Sequence, residues 1–448
     1  MKLRRLLLVG IGTPVALALA LIVAAPLIDR NAGEEKTAVL PVDSKLVARG
    51  KYLAQMGDCA ACHSVPGQPA FSGGLRMNLP IGAIFTPNIT PDAKEGIGDY
   101  SLEDFDRALR YGVSRGHSLY PAMPFPSYAN TRPEDVEALY AYFRKGVEPS
   151  AVPNRKADIV FPLSMRWPLT YWRLAFAPRP TPFKESASGD ATVAVGAYLV
   201  EGLGHCGECH TPRNFAMQVR AQTSSDGPLF LSGAPVENWF APSLRGAGPG
   251  SLAGWNEDEI ATFLSTGANH FGIAFGSMGD VVGNSMQHLS QPDALAIARY
   301  LKTLSDPDRR NTSTFDYDDA TEQKLRSGDA EARGALGYLN NCATCHRPDG
   351  RGYAGVFPAL AGNPVVESRN PLSLISIVLS GSMTTKTSAA PAQFHMPSFA
   401  WRLSDSEIAD IISFIRASWG NRATPIDESD VKRQRVDVVT SYPRAAQR

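Results

Sequence analysis

The most abrupt change in hydrophobic pattern lies at the N-terminus. Behind the basic leader Met1-Lys-Leu-Arg4-Arg5 runs an uncharged apolar stretch of 23 residues, Leu6 to Ile28, closed by Asp29-Arg30. It exceeds the ~7–15 residues of a signal-peptide core and matches the ~20 that span a bilayer as a helix. The basic leader puts the N-terminus on the cytoplasmic side. Ala18-Leu19-Ala20 also reads as a cleavage site, so residues 1–30 are either a signal peptide or a membrane anchor. Either way the rest of the chain is exported.

After residue 45 the pattern becomes helical and recurs three times. Each repeat opens with a glycine-led stretch: Gly50-Lys-Tyr-Leu-Ala, Gly196-Ala-Tyr-Leu-Val and Gly334-Ala-Leu-Gly-Tyr. The glycine lets this first helix approach another closely. A capped helix follows over Ser101–Arg110, Asn256–Leu264 and Asn370–Leu379, each begun by Ser or Asn. Each repeat closes on an amphipathic helix: Arg132–Phe143, Gln291–Leu301 and Ser404–Ile415. No convincing run of alternating strands interrupts this pattern. The chain reads as all-α.

Composition narrows the class. The chain has 448 residues with 44 basic and 44 acidic side chains. A zero net charge argues against a general nucleic-acid binder, which needs a basic surplus to release counterions. The six cysteines change the picture most. They form Cys59-Ala-Ala-Cys62-His63, Cys206-Gly-Glu-Cys209-His210 and Cys342-Ala-Thr-Cys345-His346. C-x-x-C-H is the attachment motif of c-type haem. Two thiols one helical turn apart add to the two vinyl groups, and the adjacent histidine becomes the proximal ligand. A redox disulfide needs neither the histidine nor three copies, and a zinc site would need further ligands at finger spacing. Haem attachment of this kind places the body of the chain in an exported compartment.

A proline turn follows each motif: Thr86-Pro87-Asn88, Ala241-Pro242-Ser243 and Phe357-Pro358-Ala359. A proline carbonyl there can receive the spare proton of the ligating histidine and fix its tautomer. A thioether is the expected sixth ligand. Met123 in Tyr120-Pro-Ala-Met123-Pro lies seven residues before Asn130, and Met396 in His395-Met396-Pro lies seven before Leu403. In the middle repeat Met278 is favoured over Met286, which sits too near the closing helix. The metal ligands are thus His63, Met123, His210, Met278, His346 and Met396. His117, His205, His270, His288 and His395 read as surface or propionate-side residues.

These readings give three tandem class I cytochrome c-like domains, each wrapped around one covalently bound haem, over residues 45–148, 188–306 and 328–420. Linkers occupy 149–187 and 307–327, and a polar tail 421–448. The first linker is rich in Pro, Trp and Arg, notably Trp167-Pro168-Leu-Thr-Tyr-Trp172-Arg173. Such residues favour partner contacts, although a packed linker accounts for them as well.

The chain resembles the three-haem cytochrome c subunit of bacterial membrane-bound alcohol, gluconate and sorbitol dehydrogenases. The likeness rests on the three haem motifs, Tyr120-Pro-Ala-Met-Pro-Phe-Pro-Ser-Tyr128, Thr86-Pro-Asn-Ile-Thr90, and Gly276-Ser-Met278 with Val281-Val282. It implies an electron relay at the periplasmic face of the cytoplasmic membrane. A catalytic dehydrogenase subunit of flavin, quinoprotein or molybdenum type would oxidise an alcohol, sugar acid or aldehyde. Electrons would then pass through three haem c groups to ubiquinone or a terminal oxidase. The sequence itself shows no dehydrogenase apparatus; Gly246-Ala-Gly-Pro-Gly250 lacks the strand–helix context of a dinucleotide site and reads as loop. Two alternatives are a haem enzyme such as a peroxidase with one open iron, and a c-type domain subunit of a terminal oxidase.

Overall fold

The computed structural model describes residues 2–33, 43–181, 183, 189–246, 252–304 and 315–441, with side chains described for all of these but 2–15, 253 and 439–441. The chain divides into two compact units, Met1–Lys184 with Gly202–His205, and Glu185–Glu201 with Cys206–Arg448. The fold is mostly helical. Residues 247–250 of the glycine cluster and the tail beyond 441 lie outside the described residues.

In the first unit, Lys2–Arg30 is one helix. The side chains of Leu6 to Val15, the front of the apolar run, lie outside the described residues. Among the described residues no helix is long and apolar enough to cross a membrane. The next helix, Ser44–Met56, starts at Asp43, whose carboxylate accepts from the Leu46 amide at 2.7 Å. It crosses the Pro133–Lys145 helix so closely that a Cβ at Gly50 would overlap the Ala138 carbonyl. Helix Leu102–Tyr111 begins in a capping box between Ser101 and Asp104. Leu53, Phe105, Leu109, Val136, Leu139 and Phe143 form the core between these helices. Each fully buried side chain of this kind contributes about 1.5–3 kcal/mol.

The second unit repeats the arrangement twice. Ala191–Glu201 crosses Gln291–Thr303, where a Cβ at Gly196 would overlap the Ala296 carbonyl. Glu257–Thr266, capped by an Asn256–Glu259 box, packs on the same closing helix. Further along, Ala335–Asn341 meets Asp405–Arg416, and a Cβ at Gly334 would overlap the Asp410 carbonyl. In all three crossings the opening glycine is the contact point.

Two features were not visible in the hydrophobic pattern. Residues Glu428–Ser441 of the polar tail form a helix on the third core. Val431 and Val438 are buried in that core, and the Gln434 amide donates to the Ser376 hydroxyl at 2.8 Å. Short antiparallel ribbons also join the helices, such as Arg76–Leu79 with Gly82–Phe85, and Ala234–Val236 with Trp239–Ala241. Strands of two to four residues are too short to show an alternation. Trp167–Phe176 is a further helix of the first unit.

Candidate haem-binding sites

Each C-x-x-C-H motif ends in a short helical turn: Cys59–His63, Gly207–His210 and Ala343–His346. The turn carries its histidine to the proline turn downstream. His63 Nδ1 lies 2.8 Å from the Pro87 carbonyl oxygen, His210 Nδ1 2.7 Å from that of Pro242, and His346 Nδ1 3.0 Å from that of Pro358. A carbonyl oxygen only accepts, so each Nδ1 carries the proton. Each Nε2 therefore keeps its lone pair available to a metal.

Burial holds all three imidazoles below their ordinary value of 6.5, opposed in part by the hydrogen bond to the proline carbonyl. The neutral form, which alone can ligate, is thus the favoured one. The thiols behave differently from those of a redox disulfide, whose nucleophile has a lowered pKa. Burial pushes Cys59, Cys206 and Cys342 up to about 12, with neighbouring charge adding to it.

A second threefold feature escaped the sequence reading. The backbone carbonyl of each motif histidine accepts from a glycine amide: His63 from Gly73 at 2.8 Å, His210 from Gly233 at 2.7 Å, His346 from Gly352 at 3.1 Å. All three glycines have positive φ, and a Cβ on any of them would crowd the proline-turn backbone. They therefore clamp the histidine turn against the proline turn. Their distances from the histidine are 10, 23 and 6 residues, so no fixed spacing marks them.

In the third site Cys342, Cys345 and His346 line one open cleft, with Met396, Phe394 and Ile377 also on its walls. A mostly apolar cleft with two thiols, a protonated-Nδ1 imidazole and a thioether suits a planar iron porphyrin. Met396 is set there by a two-residue ribbon in which it pairs with Ser382. In the first site, Met123 and Cys59 both pack, partly buried, on the same core. In the middle repeat, Met278 is half-buried in the first turn of helix Ser277–Asn284, whereas Met286 is 4% exposed and part of the core. Of the other histidines, His117, His270, His288 and His395 are exposed, and His205 packs against the Tyr128 ring at 5.8 Å.

Three tautomer-fixed histidines behind C-x-x-C motifs in a mostly helical chain define a c-type cytochrome, with haem c held covalently. The family model for cytochrome c matches residues 47–146 and 331–419; the middle motif lies outside both stretches. The gluconate 2-dehydrogenase cytochrome c subunit of Pantoea cypripedii is 49% identical over 397 residues, 88% of this chain and 90% of that one. The cytochrome c subunit of the quinone alcohol dehydrogenase of Gluconobacter oxydans is 46% identical over 398 residues, 88% and 83% of the two chains. The fructose dehydrogenase cytochrome subunit of Gluconobacter japonicus is 34% identical over 407 residues, 87% and 82%. The chain belongs to the family of cytochrome c subunits of dehydrogenases, and it transfers electrons from a dehydrogenase catalytic partner. These relatives do not favour a peroxidase-like or terminal-oxidase role.

Proposed function

We propose that the chain is a three-haem relay at the periplasmic face of the cytoplasmic membrane. Cys59 and Cys62, Cys206 and Cys209, and Cys342 and Cys345 form the thioether links. His63, His210 and His346 are the proximal ligands, and Met123, Met278 and Met396 the sixth ligands. The haems form three domains over residues 45–148, 188–306 and 328–420, joined by linkers at 149–187 and 307–327. The observation that carries this reading is the repeated histidine–proline contact, present at 2.7–3.0 Å behind every motif.

When bound, haem supplies reversible one-electron transfer. The chain's own groups orient the imidazoles, exclude water from the iron and set the potentials. A thioether from Met123, Met278 or Met396 would leave no open iron for oxygen or peroxide, which suits a relay. The N-terminal run, as anchor or removed signal, carries the body of this relay across the membrane. The partner subunit, of flavin, quinoprotein or molybdenum type, oxidises an alcohol, sugar acid or aldehyde; the alcohol and gluconate dehydrogenase relatives support the first two. Electrons leave to ubiquinone or a terminal oxidase.

The test is to isolate the chain with its natural partner and digest it. Haem-modified peptides covering all three motifs are expected, together with a co-purified dehydrogenase whose substrate reduces the haems and then a ubiquinone analogue. A motif without haem, or haems that substrate leaves oxidised, would overturn the reading.

A further inference from the structure

The described end of the N-terminal helix has two faces. Leu21, Ala25 and Asp29, four residues apart, turn toward the body of their unit. The Tyr171 hydroxyl donates to the Leu21 carbonyl at 2.8 Å, and Ala25 is buried. Asp29 is 3% exposed, yet its carboxylate is fully engaged. It accepts from the Ser118 amide at 2.8 Å, the Ser118 hydroxyl at 2.9 Å and the Thr170 hydroxyl at 2.9 Å. Arg173 pairs with it at 3.1 Å. Removing one partner of such a pair leaves a buried charge uncompensated. The cluster therefore locks the end of the N-terminal helix onto the Trp167–Phe176 helix, with which it packs.

The other face is apolar and open: Leu19, Val23 and Leu27 are each more than half exposed. The segment leading into the Trp167–Phe176 helix is equally unusual. Val160, Phe161 and Leu163 are 70%, 80% and 52% exposed, and Leu174 on the helix itself 51%. Consecutive exposed apolar residues on two locked elements mark an interaction surface.

We propose that this surface seats the unit on the outer leaflet of a phospholipid bilayer. Continuity identifies the occupant. The locked helix is the end of the Leu6–Ile28 apolar run behind a basic leader, so its exposed residues continue a surface already suited to lipid. Val160 to Leu163 then enter the leaflet beside it. The proposal deepens the membrane-bound reading above and depends on it.

The test uses the full haem-loaded chain on phosphatidylcholine–phosphatidylglycerol vesicles that carry a photoactivatable phospholipid. Crosslinked peptides are located by mass spectrometry, and reduction of the haems by dithionite is followed in the same samples. Lipid adducts are expected within residues 160–174. The variant Phe161→Asp/Leu163→Asp should lose those adducts at least about tenfold, with haem absorption unchanged because both side chains are exposed. Adducts confined to residues ahead of Leu21, or equal labelling of the variant, would overturn the seat. Neither result touches the relay, which would fail separately if the haems did not reduce. Loss of the dehydrogenase from the variant with lipid labelling intact would mark a protein interface and also overturn it.

Discussion

His210 is held at both ends of one turn: its Nδ1–H donates to the Pro242 carbonyl at 2.7 Å, and its own carbonyl accepts from Gly233 at 2.7 Å. Gly233 sits at φ +91° with the Ser243 amide close to where a Cβ would lie. Gly233→Val should therefore push the proline turn away and weaken the imidazole's hydrogen bond. A less basic imidazole stabilises ferric iron less, so the potential of this haem should rise, by on the order of 50 mV. Spectroelectrochemical titration reads the shift, and the other two haems should keep their potentials.

The methionines divide by burial. Met123→Ala and Met396→Ala should each convert one haem to a high-spin form with a lower potential, visible in absorption and magnetic circular dichroism. In the middle repeat the pair is diagnostic. Met278→Ala should alter the haem, whereas Met286→Ala should cost about 2–5 kcal/mol of stability with the haem spectrum intact. The reverse pattern would move the ligand to Met286.

The helix crossings predict a packing effect independent of haem chemistry. Gly50→Ala and Gly196→Ala each place a methyl against a backbone carbonyl, of Ala138 and Ala296, where no side chain can yield. Each should destabilise its unit by about 1–3 kcal/mol. Denaturant unfolding measures this, with each loss confined to the unit that carries the change.

Acid should loosen the cap of the helix Asp405–Arg416. Glu407 accepts from the Ser404 amide and hydroxyl, both at 2.8 Å, and these bonds hold its carboxyl below the ordinary 4.5. A group lowered on folding contributes stability that is present above its ordinary value and fades as pH falls through its folded one. Hydrogen exchange at the start of helix Asp405–Arg416 should therefore quicken as pH falls below the ordinary 4.5, after correction for intrinsic rates. Glu407→Gln should remove most of that pH dependence.

The sequence carried the parts of this structure that depend on local chemistry. The histidine–proline partners at Pro87, Pro242 and Pro358 follow from ligand chemistry, and the opening glycines follow from helix packing. The clamp by Gly73, Gly233 and Gly352 did not show, because loops of different length return to the same contact. The Glu428–Ser441 helix was equally hidden. Among the described residues its buried face is Val431, Gln434 and Val438 among charged neighbours, so its placement comes from the core it covers and not from its own pattern.

A redox titration of the purified full chain, followed by optical and electron paramagnetic resonance spectra, tests the closed three-haem relay most directly. Three one-electron steps, each between low-spin six-coordinate forms and with no response to peroxide, are predicted. Fewer than three steps, or a high-spin haem that reacts with peroxide, would contradict it.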